Sequence, residues 1–557
     1  MSEHELSHRD VAVVHPPVEN SHSKERDARE PPAESEGDQD LNWITGLPLG
    51  VLMTGLSIVM FLVLLDSSII GTATPEITSE FHSLEDVGWY GSAYRLASAV
   101  VQPLTGKIYT TLNLKWSYLA FFTIFEVGSL ICGVAQSSIM LIIGRAVAGI
   151  GVAGLQNGSL TIVATAAPLH RRATLNGILI GISQAGIVMG PLIGGAFTTY
   201  STWRWCFYIN LPLGAVVAGS LFFVRIPQPK APLEATQSRL GALVRELDFL
   251  GFILLTGFSI ELLLALEMGG DTYAWNSSVI IGLLCGAVVT LAAFLFWQHR
   301  KGDKAMIPFS VAGKRVIWCG SLVYAFLMAA LSNLSYYIPI YFQSVLNATA
   351  ILSGVYMLPN IVAQVITCIS SGMLVERMGY YLPWSIISIV LTTVGTGLMS
   401  TFDVSTSTGE WVGYQILFGF GCGMGIQMPI LAAQNSLAPP DIPVGIAILI
   451  FSQSIVSAVW LAVASTIFTN SLETLIPQYA PSVSAADIIA AGATGIRSVV
   501  QDGPVLNQVL EAYSKAIDNT FYIAIASLGA AIFFVWGIGW KDIRHKKENA
   551  SPESTDS

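Results

Sequence analysis

Four charged side chains stand inside long apolar stretches of this sequence: Asp66, Arg95, Glu126 and Arg145. An ionised group at the centre of a bilayer costs roughly 2.5–3.5 kcal/mol on insertion scales, so each one calls for a partner or a function. A carboxylate beside a cation in a low-dielectric environment can exchange a proton when its contact with the cation changes. The four residues are therefore candidates for a proton-coupling network. The alternative is a set of static ion pairs that hold helices together.

The spacing of these residues predicts that they share one layer of a membrane. At a rise of 1.5 Å per residue, Asp66 and Arg145 each lie about 9 Å, Arg95 about 12 Å and Glu126 about 15 Å from the outer ends of their stretches. Arg95 could then act as a structural counter-ion of Asp66. A fifth embedded charge, Glu261, has no evident partner at its depth.

The composition indicates the elements that must position these residues. Apolar residues make up 53% of the 557 residues and charged residues 11%, whereas a soluble domain carries about 25% charged residues. A spanning helix needs roughly 20 apolar residues. Fourteen runs fit, at 49–72, 87–106, 116–136, 139–166, 173–197, 205–225, 247–267, 276–298, 316–341, 351–374, 381–400, 411–435, 443–469 and 520–540.

Lysine and arginine predict the orientation of these spans. With the N-terminus in the cytosol, 18 of the 27 basic residues fall in inner loops or the C-terminal tail and three fall outside, as the positive-inside rule requires. We therefore expect a multi-pass protein with both termini cytosolic.

The expected organisation has five parts. Residues 1–45 are expected to form a disordered cytosolic tail, 46–226 contain six of the runs, 227–300 a linker and two runs, 301–545 six runs, and 546–557 a second cytosolic tail. The outer loop 470–519 contains an amphipathic stretch, Val505–Ile517. That stretch is expected to lie on the outer membrane surface or to cover the mouth of the protein; an ordinary surface loop with one helix is an equal alternative.

Several function classes are excluded or disfavoured. No basic patch is large enough to follow a nucleic acid backbone. The six cysteines are separated in apolar runs, so we expect each to be a small buried apolar residue and part of neither a disulfide nor a metal site. The motifs HExxH, GxSxG and the nucleotide-binding loop are absent, so we expect no enzyme, no metal and no cofactor.

The second half offers amides and phenols in place of embedded charges. Such groups can hold a neutral or amphipathic organic molecule, but they cannot carry a proton cycle. The candidate cavity residues are Gln156 in the first half and Asn333, Tyr337, Asn360, Gln364 and Gln427 in the second. The alternative is that these side chains only bridge helices.

A glycine motif provides the most specific sequence signal. It runs Gly186-x3-Gly190-Pro191-x2-Gly194-Gly195. Glycines four residues apart allow close helix packing, and the proline bends its helix. The motif resembles the antiporter motif of the major facilitator superfamily, which in that family lies against a second-half helix and helps to seal one end of the cavity.

Further segments resemble the 14-span drug:proton antiporter branch of that superfamily. They are Leu65–Ile70 with Ala73-Thr74-Pro75, Gly144–Gly151, Trp203–Pro212, and Tyr337–Gln343 with Ser353-Gly354 and Leu358-Pro359. The resemblance covers roughly residues 45–545 and is strongest to fungal efflux pumps for mycotoxins, other secondary metabolites and antifungal drugs. It implies an all-α integral membrane protein with the major facilitator fold, in which two six-helix bundles are joined by two inserted helices.

The same resemblance implies a function and a site. A monomer in the lipid bilayer would export a hydrophobic or amphipathic small molecule by alternating access, driven by protons alone, with Asp66, Arg145, Glu126 and Arg95 as candidate coupling residues. The plasma membrane is the expected location, and the vacuolar membrane is possible. An importer of a nutrient or siderophore, or a non-transporting sensor, remains an alternative on the same fold.

One departure from the family pattern concerns the loop after the second span. The family often has Gly-x3-Asp-x2-Gly-Arg there, but Thr110 occupies the aspartate position in this sequence. We therefore expect the charge relay at the inner gate to be missing or altered.

Overall fold

The computed structural model describes residues 43–227, 247–270, 272–501 and 503–544. Both predicted tails, except residues 43–45, and most of the 227–246 linker lie outside them. The described residues form the following helices: α1 Leu47–Phe81, α2 Val87–Thr111, α3 Leu114–Gly133, α4 Ser138–Ala166, α5 Leu169–Tyr200, α6 Trp205–Tyr208, α7 Asn210–Phe223, α8 Phe249–Met268, α9 Ser278–Lys301, α10 Phe309–Ala312, α11 Arg315–Ser344, α12 Ala350–Tyr356, α13 Leu358–Met378, α14 Leu382–Met399, α15 Thr408–Gly425, α16 Met428–Ser436, α17 Ile442–Tyr479, α18 Ala485–Val499 and α19 Pro504–Val535.

Thirteen helical segments within the described residues are long and apolar enough to cross a membrane. The sequence predicts fourteen, and the difference is α2. This helix has 25 residues, but Arg95, Gln102 and Lys107 lower its mean hydropathy. It nevertheless packs along α4 and α17 as a full-length helix.

The long helices form two bundles, with α1–α7 in the first half and α11–α19 in the second. The halves meet where α5 packs on α13 and where α2 packs on α17. The inserted pair, α8 and α9, packs together and lies against α2 and α17. The outer sides of this pair are exposed, as expected for surfaces that face lipid.

Both ends of the described chain lie on the same side of the molecule, here called the terminal face. The Ile44 N–H donates to Ala166 O at the end of α4, and the Ile543 N–H donates to Gly379 O at the end of α13. The opposite side, which carries α18, is called the distal face.

Local signals explain several helix ends. Asn113, Ser137, Ser277 and Thr349 accept a backbone N–H and so cap the N-termini of α3, α4, α9 and α12. Such caps satisfy amides that have no partner within the helix. Gly379 ends α13 in the left-handed region at φ 84°, which glycine adopts without a steric penalty.

The segment 470–519 differs from the expected outer loop. Helix α17 continues to Tyr479, and the amphipathic stretch Val505–Ile517 forms the first half of α19. Its apolar residues Leu506, Val509, Leu510, Tyr513 and Ile517 are buried against the second bundle. The periodicity thus marked a helix correctly, but its apolar face packs on protein.

Candidate coupling site

Asp66 on α1 and Arg145 on α4 form a buried ion pair. Arg145 Nη1 lies 2.5 Å from Asp66 Oδ2, and each side chain is 1% exposed. Burying two charges is costly unless the pair is close and its remaining atoms are hydrogen-bonded. The neighbours of the pair meet this requirement.

The guanidinium of Arg145 is enclosed by α2. Arg145 Nε donates to Tyr90 O at 3.0 Å, and its central carbon lies 4.2 Å from the centre of the Tyr94 ring. The Tyr94 hydroxyl donates to Val63 O on α1. Backbone, ring and carboxylate thus hold the cation on three sides.

Glycines allow α4 to bring Arg145 this close to its neighbours. A Cβ built on Gly151 would lie 2.5 Å from Phe125 N, and one on Gly144 would lie 2.9 Å from Cys132 N. Gly149 faces the Tyr94 carbonyl in the same way. The Gly144–Gly151 motif therefore lets α2 and α3 pack directly on the helix that carries the arginine.

The second oxygen of Asp66 is held by a residue that the sequence analysis did not select. Asn210 Nδ2 donates to Asp66 Oδ1 at 3.2 Å and to Ser129 Oγ at 3.1 Å. Asn210 is fully buried at the start of α7. Its signal was present in the sequence, since it belongs to the Trp203–Pro212 motif.

The side chain of Glu126 on α3 points towards α7 of the same bundle. Its half-buried carboxyl lies against Gly214 on α7. Within the described part of the chain, neither carboxyl oxygen has a hydrogen-bond partner. Glu126 therefore lacks the hydrogen bonds that Asp66 receives from Arg145 and Asn210.

The remaining embedded charges lie apart from the pair. Arg95 is exposed on α2, so the ion pair of Asp66 is with Arg145 and not with Arg95. Glu261 on α8 accepts a hydrogen bond from Thr290 on α9 at 2.8 Å. That bond gives Glu261 a partner that the sequence did not reveal.

The antiporter-type motif packs differently from the family expectation. Gly186, Gly190 and Gly194 lie four residues apart on one face of α5, and that face meets α1 in the same bundle. A Cβ on Gly186 would lie 2.5 Å from Phe61 O. Ser68 on α1 donates to Gly186 O at 3.1 Å. These three glycines therefore position the segment of α1 that carries Asp66.

Only the other two residues of the motif face the second half. A Cβ on Gly354 would lie 3.5 Å from Pro191, and one on Gly195 would lie 3.3 Å from Ile351. Both contacts are with α12. Because adjacent positions on a helix point about 100° apart, one motif contacts both α1 and the opposite bundle.

The candidate cavity residues divide into two groups. Gln156 is half-buried, whereas Asn333, Tyr337, Asn360, Gln364 and Gln427 are buried. Gln427 Nε2 donates to Cys368 O at 2.8 Å, and Asn333 Nδ2 donates to Thr520 O at 3.2 Å. In this conformation these two amides bridge helices of the second bundle. Substrate contact by the set stays a prediction.

A network of buried polar side chains joins the two halves at the terminal face. Gln434 on α16 donates to Leu160 O at 3.1 Å and accepts from Asn176 Nδ2 at 3.0 Å. Asn157 donates to Pro443 O at 3.1 Å. Arg172 donates to Gln434 O at 3.5 Å, and Thr174 donates to Glu376. We call these contacts the amide seal.

Thr110 contributes nothing to the amide seal through its hydroxyl, which donates to Lys107 O on its own helix. Nearby, Gly106 packs closely on Val444 of α17. At the position of the family's loop aspartate, the terminal face thus has a hydroxyl turned to its own helix and close glycine packing, while the neighbouring amide seal joins the two halves.

A second polar cluster anchors the inserted helices at their terminal-face end. Asp248, fully buried at the N-cap of α8, accepts from Trp297 Nε1 at 2.8 Å and from Met306 N at 3.1 Å, and pairs with Lys301 Nζ at 3.0 Å. Burial alone raises the pKa of a carboxyl, but these bonds outweigh it, and the net pKa of Asp248 lies below its usual value.

Comparisons with known proteins agree with this architecture. The profile of the Major Facilitator Superfamily matches residues 56–465. The MFS-type transporter pigP of Monascus ruber is 55% identical over 90% of this chain and 88% of its own. The efflux pump mlcE of Penicillium citrinum is 50% identical over 92% of this chain and 94% of its own.

Solved structures show the same fold. The proton:xylose symporter XylE has a TM-score of 0.60 at 12% identity, covering 89% of this chain and 97% of its own. Together with the paired bundles, the inserted helices and the apolar spans, these matches show that this multi-pass membrane protein belongs to the Major Facilitator Superfamily.

Proposed function

We propose that this protein exports hydrophobic or amphipathic small organic molecules, such as secondary metabolites, toxins or drugs, and that protons drive the export. The observation that carries the proton coupling is the buried Asp66–Arg145 pair. Support for export comes from relatives named as efflux pumps that are about as long as this chain.

The pair can act as a switch because its two members lie on different helices. When Asp66 takes up a proton it becomes neutral, and Arg145 loses its anionic partner while keeping Tyr90 O. The attraction between α1 and α4 then weakens. Because the glycine face of α5 packs on this part of α1, the change reaches a helix that contacts the second bundle.

The amide seal indicates which half of the cycle this conformation represents. If the lysine- and arginine-rich terminal face is cytosolic, the seal closes the cytosolic end. Substrate would enter from the cytosol or inner leaflet in the opposite state and leave from this one. Alternating access of this kind rocks one bundle against the other.

The test is accumulation of fluorescent dyes and candidate toxins in pump-depleted yeast that expresses the chain, with and without a protonophore. Lower accumulation that the protonophore reverses is expected for the wild type. Asp66→Asn should abolish the effect while the protein remains folded and reaches the membrane. Glu473→Gln, which neutralises an exposed acid on α17, serves as the matched control.

Two outcomes would contradict the proposal. Export that persists in Asp66→Asn with unchanged pH dependence would remove Asp66 from the mechanism. Uptake that rises with the proton gradient would instead favour import. A fluorescent fusion would show in the same cells whether the protein resides in the plasma membrane, as we propose, or in the vacuolar membrane.

A further inference from the structure

Asn210 occupies the junction of α1, α3 and α7. It is 0% exposed, and its amide nitrogen donates to Asp66 Oδ1 on α1 and to Ser129 Oγ on α3. Both N–H groups of the amide are therefore used. This arrangement fixes the orientation of the side chain and directs its carbonyl oxygen away from Asp66.

That carbonyl oxygen, Oδ1, is buried and has no hydrogen-bond partner among the described residues. A buried acceptor without a partner costs about 1–3 kcal/mol. Both oxygens of Glu126 also lack a partner. Glu126 lies one turn before Ser129 on α3, and its carboxyl contacts Gly214, one turn after Asn210 on α7.

The Glu126 carboxyl and the Asn210 carbonyl oxygen can form a hydrogen bond in only one protonation state of Glu126. A protonated carboxyl carries one O–H donor, whereas a carboxylate carries only acceptors. A neutral Glu126 would offer the donor that the free oxygen of Asn210 lacks, whereas an ionised Glu126 would offer only further acceptors. Asn210 is thus positioned to respond to Glu126 while it holds Asp66.

We propose that Asn210 is a positioning residue that couples the protonation of Glu126 to that of Asp66. This inference rests on the proposed proton-driven transport. A proton that binds Glu126 lets the carboxyl donate to Asn210 Oδ1, which holds the amide nitrogen on Asp66 and favours its charged, Arg145-bound form. When the proton leaves, that support is lost. No bond between heavy atoms forms or breaks.

Other titratable groups also border Asp66, and each must be considered in a pH experiment. From the helices packed around it they are Arg145 on α4, Tyr94 on α2, Glu126 and Cys132 on α3, and Cys206 on α6. Glu126 is the only carboxylic acid among these groups, so it is the neighbour of Asp66 that the experiment replaces.

The experiment is a double-mutant cycle on the pH dependence of transport. The full-length wild type, Glu126→Gln, Asn210→Ala and the double variant are reconstituted in proteoliposomes, and dye transport is measured across a pH series. Asn210→Ala removes a donor to Asp66, so the pH of half-maximal transport should move upward by about one unit, a tenfold change in proton affinity. Glu126→Gln should shift the midpoint more in the wild-type background than in Asn210→Ala, where only the direct charge–charge interaction between Glu126 and Asp66 remains.

A structural control separates positioning from folding. Gln415 is another fully buried amide, and it donates to Tyr356 O within the second bundle at 3.0 Å. Gln415→Ala should lower thermal stability in detergent as Asn210→Ala does, but it should leave the pH midpoint in place. Asn210→Ser, which keeps a small polar side chain, is the second variant if the alanine variant does not fold.

The outcomes distinguish this inference from the proposed function. Equal midpoint shifts by Glu126→Gln in both backgrounds, or no shift by Asn210→Ala, would overturn the role of Asn210 even if Asp66→Asn abolishes coupled transport. Persistence of pH-dependent transport in Asp66→Asn would instead overturn the proposed function and this inference with it.

Discussion

Replacing Gln434 by leucine should open the amide seal. The side chain of Gln434 makes two hydrogen bonds to the first half, with Leu160 O and with Asn176 Nδ2, and it is 2% exposed. Leucine removes both bonds but keeps an apolar side chain of similar size. The substitution therefore tests the hydrogen bonds more than the packing.

The expected magnitude follows from the groups that lose their partner. Leaving a buried polar group unsatisfied costs about 1–3 kcal/mol. Asn176 Nδ2 would bear this cost in full, whereas Leu160 O keeps its helix position and loses less. A total of about 2–3 kcal/mol, at 1.4 kcal/mol per tenfold, shifts the equilibrium roughly 30- to 150-fold towards states with a separated terminal face.

Spin labels on the two halves would measure this shift. Arg171 on α5 and Arg377 on α13 are both exposed near the seal, so cysteines at these positions can carry the labels. Cys285→Ser removes the one exposed cysteine of the described residues. We expect Gln434→Leu to add a longer-distance population, and Gln415→Leu, an equally buried amide within one bundle, to add none. Superimposable distance distributions for wild type and Gln434→Leu would refute the reasoning.

Two further predictions follow from the packing. Gly190→Ala should reduce transport at least about tenfold with normal expression, because a Cβ there meets Ser68 on α1 close to Asp66 and small displacements at a functional site are costly. Gly397→Ala, with open space at the Cβ position, is the control. Equal transport activity of the two variants would contradict the role of Gly190 in positioning α1. Asp248→Ala should lower stability by about 1–3 kcal/mol, because it leaves buried donors and the half-buried Lys301 unpaired. The folded protein lowers the pKa of Asp248, so the stabilisation by this carboxylate is present above the ordinary carboxyl pKa and is lost as the pH falls through the pKa of the folded state. The thermal unfolding temperatures of wild type and variant should therefore converge in acid. A difference in unfolding temperature that stays constant with pH would contradict this prediction.

The exposed cysteine and the packed amphipathic stretch show where periodicity falls short. Five cysteines are buried as expected, but Cys285 is exposed on the outward side of α9, because both protein-facing and lipid-facing positions are apolar in a membrane helix. For the same reason the apolar face of Val505–Ile517 did not reveal whether it meets lipid or protein. Only its burial in α19 shows that it packs on protein.

The sequence by itself determined the apolar spans and the presence of Asp66 and Arg145 at one depth, whereas the two bundles with an inserted pair were implied by the resemblance to the major facilitator superfamily. The first two features follow from the cost of charges and of unsatisfied backbone in lipid, which is a property of the chain read residue by residue. Which partners meet was decided by the tertiary structure. Arg145 rather than Arg95 pairs with Asp66, the glycine face of α5 packs on α1, and Asn210 and Gln434 become buried bridges. Such contacts depend on the rotation of each helix about its axis and on packing between residues far apart in the chain, and neither is encoded in hydropathy.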